Sequence, residues 1–543
     1  MGATFPDVFN LADYFLFDRI AEGLGDAVAL RFGDAAWTFA DVARRSEAFA
    51  ALLVTRGVRA EERVLTILPD VPPYAWAFFG VAKAGAVVAM GNPDAPTSDL
   101  EYLLEYTRAS VVVTVPRVVE ALQVAIERSP WLRAVLVTAD ARTGEDAEAE
   151  VSVPALGGEA RAECLARALA TVDVRAHRPH ATRRDDPAVW LFTSGSTGRP
   201  KAAVHTHRDF AYNTEHYALN TVGYRRGDVC VSVPRLFFGY ATGTNLMFPF
   251  RVGATVGLFS ERPTVASLTD AVARYRPTVL TNVPTMIGKL LEHDATERAA
   301  GRAGLDLSCV RFCLSAGEAL PPALLDRWNE RFGVDVYDGI GSAEMFHIYV
   351  SNRPGDVKPG SLGRVVEGYE VRVLPRDAKG PGAEPAGPDE VGTLWVAGDS
   401  VAIGYWGDRD KSWQTFHGRW CCTSDLFRLD ADGYLWFAGR ADDLIKVSGL
   451  WVSPLEVEDC LLAHPAVAEV CVVGYEDEGL MKTRAYVVLR DGFTGGDALA
   501  KDLQDHARAR LSKHKYPRSV VFDADLPRND RGKIDRKALR ARA

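Results

Sequence analysis

An apolar run at residues 188–192 leads directly into Thr193-Ser194-Gly195-Ser196-Thr197-Gly198-Arg199-Pro200-Lys201. The run reads as a buried strand. Glycines let the segment after it turn tightly and bring backbone N–H groups close to a ligand. Hydroxyls and N–H groups donate to phosphate oxygens, and Arg199 and Lys201 add charge. The segment therefore reads as a loop that wraps a polyphosphate. It is not a Walker P-loop. Lys201 follows a proline and precedes Ala202, so no hydroxyl stands where that motif holds its metal.

A chain of 543 residues exceeds one ordinary core, so two or more domains are expected. With 47% hydrophobic and 25% charged residues, it has a soluble globular composition. A net charge of −9 gives no electrostatic reason to expect nucleic acid or an anionic membrane. Residues 1–10 lack the basic and apolar regions of a signal peptide. The most apolar stretch, 75–90, is broken by Lys83 and glycines and is too short to span a bilayer. Neither Cys309/Cys313 nor Cys421/Cys422 has zinc spacing, so the eight cysteines are read as small core residues in a reducing cytoplasm.

Apolar runs alternate with helical patterns over residues 1–140 and again from 188, which predicts an α/β fold with mostly parallel sheets. Strands are expected at 64–68, 110–114, 229–233, 278–282, 310–314 and 334–337. Helices are expected at 284–293 and 321–332, each with proline in its first turn. Residues 143–186 read as a peripheral excursion and 375–389 as an exposed loop. After Arg440 the pattern becomes a small α+β unit with strands at 467–473 and 483–489. Ser453-Pro454-Leu455-Glu456 predicts a helix start with a capping box. The expected domains are 1–440 and 441–543.

Five further segments carry chemistry. Tyr337-Asp338-Gly-Ile340-Gly341-Ser342-Ala343-Glu344 reads as a strand end, a glycine turn and a carboxylate suited to Mg²⁺ beside a phosphate. Ser315-Ala316-Gly317-Glu318 has small residues that admit a flat ring. Asp425 is placed either to bind two ribose hydroxyls or to form an Asx-turn. Basic residues recur in 439–449 and again in 527–536, around Lys533.

Taken in order and spacing, these segments resemble the adenylate-forming superfamily of acyl-CoA synthetases, adenylation domains and luciferases. The resemblance spans about 10–540. It implies a large N-terminal adenylate-forming domain of βα subdomains and a small mobile α+β C-terminal domain. It implies that Thr193, Ser194, Gly195, Ser196, Thr197, Gly198 and Lys201 hold the ATP phosphates. Glu318, Tyr337 and Asp338 would lie toward the nucleotide, and Asp425 and Arg440 at the ribose. Glu344 would bind Mg²⁺, and Lys533 would bridge the substrate carboxylate and α-phosphate. Asp442 would be the hinge that exchanges the Lys533 face for one carrying Lys446, Ser448 and Gly449 toward coenzyme A. The family usually has threonine where this chain has Ala343, which removes a phosphate-side hydroxyl.

Residues 234–244 contain no acidic group to pair with an ammonium, which disfavours α-amino acids. That segment and Glu344–Ile348 are similar to those of benzoate-CoA ligases. By that likeness Phe238, Tyr240, Ala316, Gly317, Ile340, Gly341, His347 and Ile348 line a pocket for an aromatic acid such as benzoate, anthranilate or hydroxybenzoate. The expected partners are ATP, Mg²⁺ and coenzyme A in the cytoplasm, with no nucleic acid or membrane. The short tail after Lys533 leaves no room for a fused carrier domain. A free carrier protein as acceptor and a homodimer stay open.

Overall fold

The structure is a computed structural model. It describes residues 3–157, 160–176, 180–194, 199–318, 320–447, 450–477, 480–528 and 534–543. By backbone contacts the chain divides into two compact units. One is Met1–Val371 with Val396–Cys421, and the other is Arg372–Trp395 with Cys422–Ala543. This differs from a single cut at residue 440. The stretch before Trp395 and the hairpin after Cys422 are tied to each other, for example by the Thr423 hydroxyl donating to the Leu394 carbonyl at 2.8 Å.

The first unit is α/β, as the alternation predicts. Its seven-stranded sheet runs Arg161–Cys164, Ala134–Val137, Val111–Thr114, Arg63–Ile67, Val87–Met90, Pro187–Ser194 and Pro200–Thr206. Only the last strand is antiparallel. The supposed excursion at 143–186 thus supplies an edge strand. A nine-stranded sheet carries Val229–Ser232, Val279–Asn282, Phe312–Ala316 and Asp335–Gly341 as parallel neighbours. Its strands are near-continuous apolar runs because helices such as Val265–Tyr275, Pro284–Ala299 and Pro322–Phe332 bury one face. The helix Pro73–Lys83 is buried in this unit, and no helix among the described residues is long and apolar enough to cross a membrane.

One predicted turn is a strand. Asp335–Gly341 continues through both glycines and pairs with Ile348–Ser351. The glycines are there for proximity. A Cβ on Gly339 would lie 2.7 Å from the Val350 carbonyl oxygen, and one on Gly341 only 2.4 Å from that of His347.

The second unit packs helices Pro454–Leu462 and Asp497–Arg510 on a sheet of Val467–Asp477, Leu480–Leu489 and Ser519–Phe522. The helix at Pro454 forms as expected, but its capping box does not. Ser453 donates instead to the Ala438 carbonyl at 2.8 Å, and Glu456 pairs with Lys515 at 2.6 Å.

Candidate active site

Strand pairing places the base of the segment expected to hold phosphates. Pro187–Ser194 and Pro200–Thr206 form an antiparallel hairpin, with Thr193 opposite Lys201. A strand follows the loop where a P-loop would have a helix. Gly195, Ser196, Thr197 and Gly198 at the tip lie outside the described residues. At the base, the Arg199 guanidinium lies 5.0 Å from the Tyr102 ring centroid, and the Tyr102 hydroxyl donates to the Pro200 carbonyl. Lys201 Nζ is 3.3 Å from Asp408 Oδ2 and its side chain is 12% exposed. Residues 402–406 run along the outer side of Pro200–Thr206. The Val204 N–H donates to Gly404, and the Ile403 N–H donates back to Val204.

Glu344 sits in the turn Ala343–Met345 and is held on several sides. Tyr405 donates its hydroxyl to Glu344 Oε1 at 2.7 Å. The Ala402 N–H donates to the Glu344 carbonyl at 2.8 Å, and Ser400 Oγ donates to that of Met345 at 2.8 Å. Burial first, and the Glu344 carboxylate second, push the Tyr405 phenol well above its ordinary range, so it stays a donor. Ser342 Oγ is buried with no partner among the described residues. Sequence reasoning missed Tyr405, which is 61 residues from Glu344. An aromatic pair directly after a glycine, Gly404-Tyr405-Trp406, was its one local signal.

The strand Phe312–Ala316 brings Ser315 opposite Asp338 and Ala316 opposite Gly339. Burial raises the Asp338 carboxyl to about 7. Glu318 Oε2 accepts from the Thr285 hydroxyl at 2.8 Å, at the start of the helix Pro284–Ala299. Tyr337 is buried beside Asp335, which together raise its phenol. Gly317 has φ +92°, a conformation that favours glycine.

Among the residues expected to line an acyl pocket, Phe238 caps the short helix Gly239–Thr242. His347 lies against that helix, with its ring 5.2 Å from Tyr240 and 4.8 Å from Phe248. His347 Nε2 lies 3.0 Å from the Tyr240 carbonyl. A carbonyl only accepts, so Nε2 carries the proton and Nδ1 keeps its lone pair. Burial lowers the His347 imidazole to about 3 and raises the Tyr240 phenol well above its usual value, so both are neutral. Tyr240 Oη and His347 Nδ1 are buried and have no partner among the described residues. Gly341 pairs with Ile348, and Ile340 with Val350. The contacts thus gather Tyr240, His347, Gly341 and Ile348. A cavity of about 1010 Å³ lined by Thr55, Arg56, Leu156 and Glu163 shares no residue with this group.

In the second unit, Asp425 lies opposite Arg440 across the hairpin Trp420–Leu429/Leu435–Arg440, with Oδ1 3.1 Å from the guanidinium. The Asp425 N–H donates to the Thr423 hydroxyl at 3.1 Å, and Ser424 between them has φ +60°. The tight turn is therefore made by Thr423, and the carboxylate faces the arginine. Lys446 is exposed on the strand Ile445–Val447. Asp442 belongs to the turn Ala441–Asp443. Ser448, Gly449 and Lys533 lie outside the described residues. The segments flanking Lys533 are pinned. Arg528 bridges Ile534 and pairs with Glu469 at 2.7 Å, and Arg536 pairs with Glu458 at 2.5 Å.

The model of the AMP-binding enzyme family matches residues 17–406, and that of the AMP-binding enzyme C-terminal domain matches residues 456–533. A benzoate–CoA ligase of Thauera aromatica is 38% identical over 539 residues, covering 99% of this chain and 96% of that protein. The solved structure of an anthranilate CoA ligase in complex with anthranoyl-AMP has a TM-score of 0.88 at 33% identity, covering 99% of this chain and 98% of that one. A benzoate CoA ligase from Burkholderia xenovorans LB400 has a TM-score of 0.84 at 35% identity, covering 98% and 100%. ATP and coenzyme A are substrates of such CoA ligases. With these matches over nearly its whole length, the chain belongs to the AMP-binding enzyme family, in its aryl-CoA ligase subgroup.

Proposed function

We propose that this chain is an AMP-forming aryl-CoA ligase of the cytoplasm. It activates benzoate, an aminobenzoate such as anthranilate, or a hydroxybenzoate to the acyl-adenylate and passes the acyl group to coenzyme A. The observation that carries the choice of acid is the neutral Tyr240–His347 pair beside a segment, 234–244, that contains no carboxylate. An ammonium beside that segment would find no carboxylate in it to pair with, whereas a flat neutral ring is accepted at little cost. The unpartnered Nδ1 accepts from a ring hydroxyl or amino group, and the unpartnered phenol can bond the same substituent.

The donor set at Glu344 fits Mg²⁺. Mg²⁺ takes oxygen ligands, one or two of them carboxylates, with substrate phosphates and waters supplying the rest. Bound there, the ion would offset charge on the polyphosphate. Glu344 would hold it, with Tyr405 keeping the carboxylate oriented. The loop 193–201, with Lys201, grips the β- and γ-phosphates so that pyrophosphate leaves from a fixed position. Asp425 and Arg440 take the ribose, and Glu318, Tyr337 and Asp338 lie toward the adenine. Lys533 is the cation assigned to two anions, the acid's carboxylate and the α-phosphate, whose repulsion it would lower. A hinge at Asp442, moving residues 441–543, brings Lys446, Ser448 and Gly449 to the thioester step and so separates pyrophosphate exit from thiol entry.

The test is a panel of benzoate, aminobenzoates and hydroxybenzoates with ATP, Mg²⁺ and either coenzyme A or a free carrier protein. Acid-dependent pyrophosphate release and a CoA thioester are expected. No pyrophosphate with any acid would sink the reading, and thioester only on the carrier would replace coenzyme A as acceptor. Lys533→Ala should abolish adenylation yet spare thioester formation from supplied aryl-adenylate. Equal loss of both steps would defeat the two-conformation scheme.

A further inference from the structure

Between the phosphate-side strand and the turn of Glu344 lies a histidine that the functions above leave unused. His205 stands four residues beyond Lys201 on the strand Pro200–Thr206, with its side chain 0% exposed. Its Nδ1 lies 2.9 Å from Asp209 Oδ2, and its Nε2 lies 2.6 Å from the carbonyl oxygen of Ala343. The ring therefore meets an oxygen at each nitrogen, and since a carbonyl only accepts, Nε2 donates to Ala343. Asp209 is itself held. It accepts from the Thr206 N–H at 2.9 Å and the Thr206 hydroxyl at 2.5 Å, closing a capping box on the helix His207–Asn213. A carboxylate fixed in this way orients an imidazole, as it does behind metal-binding histidines.

The bond to residue 343 matters because of what that residue lacks. An alanine side chain offers no hydrogen-bonding group, so the carbonyl is the handle by which the turn is gripped on this side. The other clamps on Ala343–Met345 come from residues 400–405. His205 alone among these clamps reaches the turn from the strand that carries Lys201.

We propose that His205 is a positioning residue for the nucleotide. By holding the Ala343 carbonyl against the strand Pro200–Thr206, it sets the spacing between Lys201 and the Glu344 carboxylate. The proposal rests on the reading that these two groups serve Mg·ATP. A purely structural role is the competing account, since the ring also packs edge-on to Phe210 at 5.7 Å.

Calorimetric titration of Mg·ATP into the full chain separates the two accounts, alongside the KM for aryl acid at saturating Mg·ATP and thermal unfolding. His205→Leu keeps the bulk and removes both bonds. It should weaken Mg·ATP binding roughly tenfold, the scale of one lost buried hydrogen bond, and leave the KM for acid unchanged. His205→Gln keeps an amide N–H that can reach the carbonyl and should recover most of the loss. The proposal is overturned if His205→Leu binds Mg·ATP like the wild type. It is equally overturned if affinity for both ligands falls together with the melting temperature and glutamine restores neither. If His205→Leu is too unstable to purify, His205→Asn, whose amide is too short to span the gap, is judged by the same criteria. Wild-type protein that fails to bind Mg·ATP would overturn the functional reading itself, an outcome separate from equal binding by wild type and variant.

Discussion

Glu344 and His347 are three residues apart and differ in how their surroundings use polar atoms. Around Glu344 the groups meet one another. Tyr405 donates to the carboxylate, Ala402 and Ser400 hold the backbone, and His205 holds the preceding carbonyl. Ser342 is the exception, its hydroxyl buried without a described partner. Around His347 one nitrogen is used within the protein, while Nδ1 and the Tyr240 hydroxyl are not. Groups tied down before the ligand arrives need no reorganisation during the reaction. Buried polar atoms left unmet carry a desolvation cost that a complementary ligand group relieves. Under the proposed function, the first region serves a step common to every acid and the second the choice among acids.

Removing the centre of the tied region should have the largest effect. Glu344→Ala is expected to slow acid-dependent pyrophosphate release by roughly a hundredfold or more with the melting temperature little changed. A loss of only a few-fold would show that the tied region is scaffolding rather than machinery. Next comes crowding of the acyl wall. A Cβ at Gly243 would lie 2.6 Å from His347 Cδ2. Gly243→Ala should therefore cost about 1–3 kcal/mol in denaturant unfolding and raise the KM for aryl acid without moving that for ATP. Parallel changes in both KM values would break the division between the regions.

Acid stability gives a smaller signal. Folded His347 takes its proton near 3, lowered from an ordinary 6.5. Between those values the unfolded chain binds more protons, so acid erodes stability by up to about 1.4 kcal/mol per pH unit. His347→Phe should remove that slope. Buried His207, lowered to about 4, and Asp338, raised to about 7, titrate in both proteins and cancel in the difference. Identical slopes for variant and wild type between about pH 7 and 5 would show that His347 is not buried neutral. The smallest effect is expected from Tyr405→Phe. It leaves the Glu344 carboxylate in place but unguided, and should raise the Mg²⁺ needed for half-maximal pyrophosphate release by about threefold, a lost hydrogen bond of about 0.7 kcal/mol.

Much of this was legible from local pattern. The apolar runs at 64–68 and 229–233 became strands because a chain with helices on both sheet faces buries such runs whole. Pro284 and Pro322 opened helices as the fixed φ of proline requires. The expected turn after Tyr337 failed for an instructive reason. Gly339 and Gly341 are needed by the neighbouring strand, and a single-chain reading cannot see how closely it passes. The capping box at Ser453 failed likewise, since Ala438, fifteen residues back, took the hydroxyl.

The sequence by itself determined the α/β architecture, the order of the motifs and the exclusion of a Walker loop, because each depends on spacing along the chain. Tertiary structure alone decided that His205 grips Ala343, that Tyr405 orients Glu344, and that His347 shows a lone pair rather than a proton. Those outcomes depend on which atoms face one another across 138, 61 and 107 residues of chain, and on how much water they lose in doing so.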